Sequence, residues 1–415
     1  MLSAMTPAPV AARPATYREV FAVGQFRVLF GGYTLFLAGE TVRMLALSVT
    51  VYAVTGSPLM SALAYAAGFL PYALGGTLLL AFADRWPPRA VMIGYEMLRA
   101  VVSAVLAAGL LPVPAMLVLV FVTGLPSAVA AASRTALLPD LLDGDRYVLG
   151  RAVFSMAAGG TQVLGFAAGG VLIAAVGAPG ALWITAATCL GSAALLRLRL
   201  SPYPPRRTGG SAGVTETWRV NRALLRRPAI RALLVAHWPA PALMVGAEGV
   251  LVPYAARAGA PDAAGPLFAA VAAGMFAGNL IVGRLVSPAG RERLAGPLAL
   301  ALGLPLLWFV LRPAPGYAAV LMAVSGFGVA YQLGLARRFL AAVPETWRGQ
   351  AFGLLVTGTM TLQGLTAAAG GALGEILAPE LVITLAGAAS ATAVLMSWRT
   401  LSPARPRRAR RDLGS

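Results

Sequence analysis

Apolar runs of about twenty residues recur along this chain, and they constrain its fold more than any other feature. As an α-helix rising 1.5 Å per residue, such a run crosses the roughly 30 Å hydrocarbon core of a bilayer. Twelve can be read, at 28–52, 59–82, 90–111, 113–133, 151–175, 180–199, 230–254, 264–286, 294–311, 316–336, 350–374 and 380–398. Periodicity does not separate helix from strand in runs like these, but length does. A transmembrane barrel would need alternating segments of about ten residues, and the sequence has none. Of the 415 residues 58% are hydrophobic and 12% charged, too few polar groups to cover a water-soluble core of this size.

The net charge is +18, and all 33 basic residues are Arg. In a soluble protein that surplus would suggest nucleic acid. Here its placement gives another explanation. The odd-numbered gaps between runs hold Arg257 and Arg312, and the first run holds Arg43. The rest, including Arg13, Arg18, Arg146, Arg206, Arg207, Arg291, Arg337 and Arg407, fall on the opposite side or at its interface. Positive residues stay in the cytoplasm during insertion. Both termini are therefore expected in the cytoplasm, and the Ala-, Gly-, Pro- and Arg-rich composition points to a bacterial inner membrane. Anionic lipid headgroups are expected partners of that face; nucleic acid is not.

Other chemistry is bounded by what is scarce. Cys189 is the single Cys and His237 the single His, so a metal site of several His and Cys ligands is excluded. A phosphate-cradling Walker loop needs a Lys, and the sequence has none. So few reactive groups do not make a nucleophilic or metal-dependent active site. Neither an enzyme nor a cofactor is expected. Residues 1–25 lack the apolar core of a cleavable signal peptide.

The runs fall into two sets. Residues 1–25 read as a cytoplasmic tail, 26–200 as six helices, 201–228 as a polar linker, 229–399 as six more helices and 400–415 as a basic tail. The linker contains Pro202, Pro204, Pro205, Gly209 and Gly210 and a basic run to Arg227. A repeat relates the sets. Gln162 to Gly170 and Gln363 to Gly371 both fit Q-x-L-x-x-A-A-G-G, 201 residues apart, in the fifth and eleventh runs. The expected fold is all-α integral membrane, with twelve transmembrane helices in two pseudo-symmetric six-helix bundles. Same-sense halves of this kind suit a rocking transporter.

Several stretches resemble the major facilitator superfamily, and within it the bacterial exporter branch that includes enterobactin and macrolide exporters. Gly39-Glu40-Thr41-Val42-Arg43-Met44, followed by Thr55-Gly56-Ser57-Pro58, resembles that family's first helix and outer loop. Ala83-Asp84-Arg85-Trp86 with Arg89 resembles its loop between helices two and three, and Arg134 to Leu141 the loop after helix four. Thr161 to Gly170 resembles its fifth-helix antiporter motif, with Phe166 where the motif has Pro and Thr161 where it has Gly. The loop motif also departs, with Leu80 in place of Gly and Pro87-Pro88 before Arg89. The resemblance implies a monomeric secondary transporter, most often a proton antiporter. Its substrate would be a small amphipathic molecule (a drug, siderophore or secondary metabolite) bound between the halves by helices one, four, seven and ten. An importer or uniporter on the same fold, or a transport-inactive membrane sensor, remains the alternative.

Candidate residues follow, each with two readings. Glu40 and Arg43 share a face of the first helix and serve either in proton coupling or as a structural ion pair. Glu248, in the seventh helix, faces a cavity or reaches headgroups. His237 precedes Pro239 and Pro241, which should break that helix; it joins the site or rests near the cytoplasmic end, bonded to a carbonyl. Gln162, Gln363, Tyr331 and Gln332 line the cavity or pack between helices. Asp84, Arg85 and Arg89, with Arg134 and Asp140, form a gate or solvated loop bridges. Glu96 and Arg99 are expected to pair locally with the Asp84 loop. Gly165, Gly169, Gly170, Gly370 and Gly371 provide bare surfaces for close packing or sliding.

Overall fold

The computed structural model describes residues 16–78, 86–205 and 214–402. Asp84 and Arg85 lie outside the described residues, as do residues 206–213 and most of both tails. The chain runs α1 (Tyr17–Ala22), α2 (Gly24–Thr55), α3 (Pro58–Ala66), α4 (Phe69–Leu78), α5 (Pro88–Ala107), α6 (Val113–Gly124), α7 (Ser127–Leu141) and α8 (Gly144–Arg199). After α9 (Val214–Arg226) come α10 (Pro228–His237), α11 (Pro239–Glu248), α12 (Leu251–Arg257), α13 (Ala264–Leu285) and α14 (Pro288–Gly303). The second half ends with α15 (Pro315–Phe327), α16 (Tyr331–Ala342), α17 (Arg348–Gly374), α18 (Pro379–Met396) and α19 (Trp398–Leu401).

Ten helical segments are long and apolar enough to cross a membrane, and α3 with α4, bent by 40°, makes an eleventh. One of the ten, α8, is 56 residues long. At 1.5 Å per residue that is roughly 84 Å, more than twice a bilayer core. Gly177 breaks it with φ 73° and ψ 167°, a conformation open essentially to glycine alone. Two spans therefore meet there, giving twelve among the described residues. Each run read from the sequence falls on one of them. Their exposed side chains, such as Val101, Leu164, Val171 and Leu285, would meet lipid.

Four helix ends and the linker differ from expectation. Helices α7, α8, α14 and α16 extend six to eight residues past their apolar runs, because a helix that has left hydrocarbon need not stop at the headgroups. The 201–228 stretch is not a linker throughout, since α9 occupies its second part. There Leu224 is buried, Arg219, Arg222 and Arg226 are exposed, and the Gln350 amide donates to Asn221 Oδ1 at 2.9 Å. Apolar side chains four apart dock the helix on the second half.

With an even number of spans, the chain ends and α9 share one face, called proximal here. The opposite, distal face has short turns. Gly56, Gly109, Gly177 and Gly259 enter four of them with positive φ, and Arg312 (φ 54°) enters a fifth. The Arg312 guanidinium approaches Glu380 at 3.1 Å, and Arg257 joins the same carboxylate at 3.5 Å.

The duplicated motif explains how the halves meet. In α8, a Cβ on Gly165 would strike Thr41 of α2, and one on Gly170 would lie 3.0 Å from the Gly265 Cα at the start of α13. In α17, a Cβ on Gly370 would strike the Gly246 carbonyl of α11, and one on Gly371 would lie 2.8 Å from the Leu59 Cα of α3. Each copy thus packs one face on the first span of its own half and the other on the second span of the opposite half. Bare backbone permits that approach. Gly265→Ala is expected to cost about 1–3 kcal/mol through overpacking, read as a lower Tm in detergent. Gly94, facing open space, is the control, and an equal loss in Gly94→Ala would remove the packing argument.

Candidate functional site

Four spans of the first half surround a cavity of about 420 Å³. Tyr33, Phe36, Glu40 and Arg43 come from α2, Phe69 and Tyr72 from α4, Tyr95 and Arg99 from α5, and Thr123 to Arg134 from α6 and α7. The second half contributes Val356 and Met360 of α17. Spans one and four line it as expected. Spans seven and ten do not; spans two, three and eleven take their place.

An ion network forms one wall. Arg43 grips Glu40 with two nitrogens, donating to Oε2 at 3.1 Å and through Nη2 to Oε1. Arg99 donates to Glu40 Oε2 and to Glu96 Oε2, each at 3.0 Å, and to the Phe36 carbonyl at 3.4 Å. Both Arg99 and Glu96 are only 2% exposed. Glu96 and Arg99 thus pair with each other and with Glu40, while the Asp84 loop with which they were expected to pair lies outside the described residues; a second Arg stands beside Arg43 inside the membrane. The signal was present: two charges one turn apart in an apolar run are costly unless they meet partners. Which partner they meet depends on helix neighbours that spacing does not reveal.

Arg134 also faces this cavity rather than a loop. Its Cζ lies 4.7 Å from the Tyr33 ring centroid and 4.6 Å from that of Phe36. Such stacking stabilises a guanidinium through the ring quadrupole. Asp140 is exposed at the end of α7, and Arg89 donates to the Arg197 carbonyl. Phe36 and Tyr95 are cavity residues that sequence reasoning did not single out.

Glu248 lies elsewhere, buried at the contact between the halves. The Tyr65 hydroxyl of α3 donates to its Oε2 at 2.5 Å, and among the described residues no cation pairs with it. Tyr65 packs on Phe268 at 4.8 Å, and Phe268 on Phe166 at 5.2 Å. Phe166, which replaces the motif proline, thus fills the contact between the halves. Nearer the distal face a second link crosses the same contact. Glu375 Oε1, just past α17, accepts from Ser57 Oγ and from the Leu59 N–H at 3.0 Å.

Tyr331 and His237 lie outside the cavity. α10 and α11 part at Trp238, with Pro239 and Pro241 in the first turn of α11, and the missing N–H of Pro241 leaves the His237 carbonyl without its helical donor. The fully buried Tyr331 hydroxyl donates to that carbonyl at 2.7 Å and to that of Ala236 at 3.2 Å. Gln332, half-buried, is adjacent. His237 is ten residues into its span, roughly 15 Å from the proximal end, deeper than expected, and its ring finds no hydrogen bond among the described residues. Gln162 and Gln363 are half-buried at equivalent depths and do not line the cavity. Gln363 Oε1 is buried and finds no partner among the described residues.

Arg99→Gln strands the buried Glu96 carboxylate and leaves Glu40 with Arg43 alone, and should cost about 3–5 kcal/mol, measured by thermal unfolding in detergent. Tyr331→Phe should cost about 1–3 kcal/mol, since it leaves a buried carbonyl unsatisfied. A Tyr331→Phe protein as stable as wild type would mean the broken helix does not need that hydroxyl.

The structure of the nucleoside transporter NupG (D323A mutant) is similar with TM-score 0.73 and 14% identity, over 90% of this chain and 99% of that one. A POT family transporter in complex with a thioalcohol-conjugated peptide gives TM-score 0.71 and 12% identity, over 92% and 100%. A bacterial homolog of the human lysosomal transporter Spinster, inward-facing and unoccupied, gives 0.64 and 15%, over 93% and 95%. At these identities the likeness is one of fold. No curated protein matches the chain in sequence. The Major Facilitator Superfamily profile matches residues 29–332; with well over half its length matched, the chain belongs to that superfamily.

Proposed function

We propose that this protein is a proton-coupled secondary transporter that exports a small amphipathic molecule by alternating access. The observation that carries the reading is the bond from Tyr65 to Glu248. It joins the two halves through a buried carboxylate that no described cation neutralises. A lone carboxylate is tolerated in such a place far better as the neutral acid. Taking up or releasing a proton there changes the free energy of one arrangement of the halves relative to the other, which coupling requires. Glu40 suits that role less well, because two guanidinium groups hold its oxygens. It serves this reading better as an anchor of the cavity wall.

The distribution of Arg favours a cytoplasmic proximal face, in a bacterial inner membrane. Export rather than uptake is supported by the exporter-like stretches of the first half. Closure at Glu375, Ser57 and Leu59 would then be closure toward the outside. Gln162 and Gln363, at equivalent depths beside the motif glycines, belong in this reading to the sliding surfaces between helices. The same fold houses a nucleoside transporter and a peptide-bound transporter, so cargo has to be argued from the cavity.

The test is flux in proteoliposomes loaded with a panel of amphipathic dyes and antibiotics, with and without an imposed pH gradient. Wild-type efflux should follow the gradient. Glu248→Gln should lose that dependence while retaining exchange of the same compound at equilibrium. Full gradient dependence in Glu248→Gln would remove Glu248 from the mechanism, and wild-type flux indifferent to pH would point to a uniporter.

A further inference from the structure

Among the described residues, the charges around the cavity do not balance. Arg43, Arg99 and Arg134 face two carboxylates, Glu40 and Glu96. Both carboxylates are taken: Glu40 by Arg43 and Arg99, Glu96 by Arg99. Arg134 is 8% exposed and borders the cavity, yet among the described residues no carboxylate lies within ion-pair distance of it and no acceptor takes its N–H groups. Its only described partners are the faces of Tyr33 and Phe36. A guanidinium stacked on a ring keeps its in-plane N–H donors free, and those donors match a carboxylate or phosphate in fork geometry.

We infer that the cavity binds an organic anion, with Arg134 as the residue that selects it. This rests on the reading of the cavity as the substrate site. The anion's acidic group would take the N–H edge of Arg134. Its apolar body would lie among Phe36, Phe69, Tyr72, Val120 and Met360, which also line the space. A volume of about 420 Å³ lies within the range of small-molecule pockets. A buried unpaired cation is costly, so an incoming anion gains from completing the pair, whereas an amine would add a like charge beside three guanidinium groups. The Glu40 network does not compete for the site, since its carboxylates are already engaged.

Three isosteric probes test this on purified protein in lipid nanodiscs: naphthylacetate, naphthylacetamide and naphthylethylamine. Affinity is read by calorimetry or by the shift in Tm. Wild type should bind the acid about tenfold or more tightly than the amide, with the amine weakest. Arg134→Gln should abolish the preference and Arg134→Lys should restore part of it. Equal or better binding of the amide or amine to wild type overturns the inference, as does a preference that survives in Arg134→Gln, or no binding of any probe to folded wild type. The ranking in wild type stands as a test even if a variant does not fold. Binding requires no flux, so a protein that selects the acid but transports nothing would sink the transport reading and leave this one intact.

Discussion

Inside hydrocarbon, a peptide N–H or C=O that loses its partner has no water to replace it. The rest of this structure depends on that constraint. It makes every span a helix, and it decides where a helix can break. The gap between α10 and α11 survives because the Tyr331 hydroxyl takes over the carbonyls of Ala236 and His237. Nearby, Trp238 Nε1 donates to the Leu355 carbonyl at 3.0 Å, and Thr366 Oγ1 donates to the Ala242 carbonyl. The broken span is thereby fastened to α17 as well as α16. A rigid rod has become a jointed element fastened at its break by side chains of its neighbours.

Charge obeys the same rule more harshly. The ionised groups of the first half are brought together so that Arg99, between Glu40 and Glu96, serves both carboxylates. Glu248 is handled differently, with one tyrosine hydroxyl and no described cation. One arrangement is a saturated network that stiffens a wall. The other is a single bond spanning two bodies that must separate if the protein is to alternate. The division of labour proposed for Glu40 and Glu248 follows from that contrast rather than from their similar positions in the first spans of the two halves.

The contact between the halves is bare backbone above all. Gly170 against Gly265 and Gly371 against Leu59 and Ala62 are one solution used twice, each by a stretch that fits the same Q-x-L-x-x-A-A-G-G string. Small residues let helices approach closely and also leave little side-chain interlocking to undo. Phe166 is the exception, a ring where the related motif has proline, stacked on Phe268. It adds a defined aromatic contact to an otherwise smooth surface.

The number of spans, the even topology, the repeated string, the break at Pro239 and the gap between the fifth and sixth runs, where Gly177 lies, were all legible in the sequence. Each follows from a local property: the length of an apolar run, a repeated string, a missing N–H, a residue without Cβ. The helical α9 was not foreseen, because proline and glycine upstream hid the short pattern of Val220 and Leu224. Sequence by itself also marked Glu40 and Arg43 as charges placed in a span at a cost, and singled out Glu248, Glu96, Arg99 and Arg134 as candidates for a cavity, a local pair or a gate. What only tertiary structure decided was which of them meet. Arg99 went to Glu40 as well as Glu96, Arg134 to the cavity, Tyr331 to a broken helix and Tyr65 to Glu248. The physical reason is that a helix displays side chains in every direction at once, and only its neighbours determine which of those directions is lipid, protein or cavity.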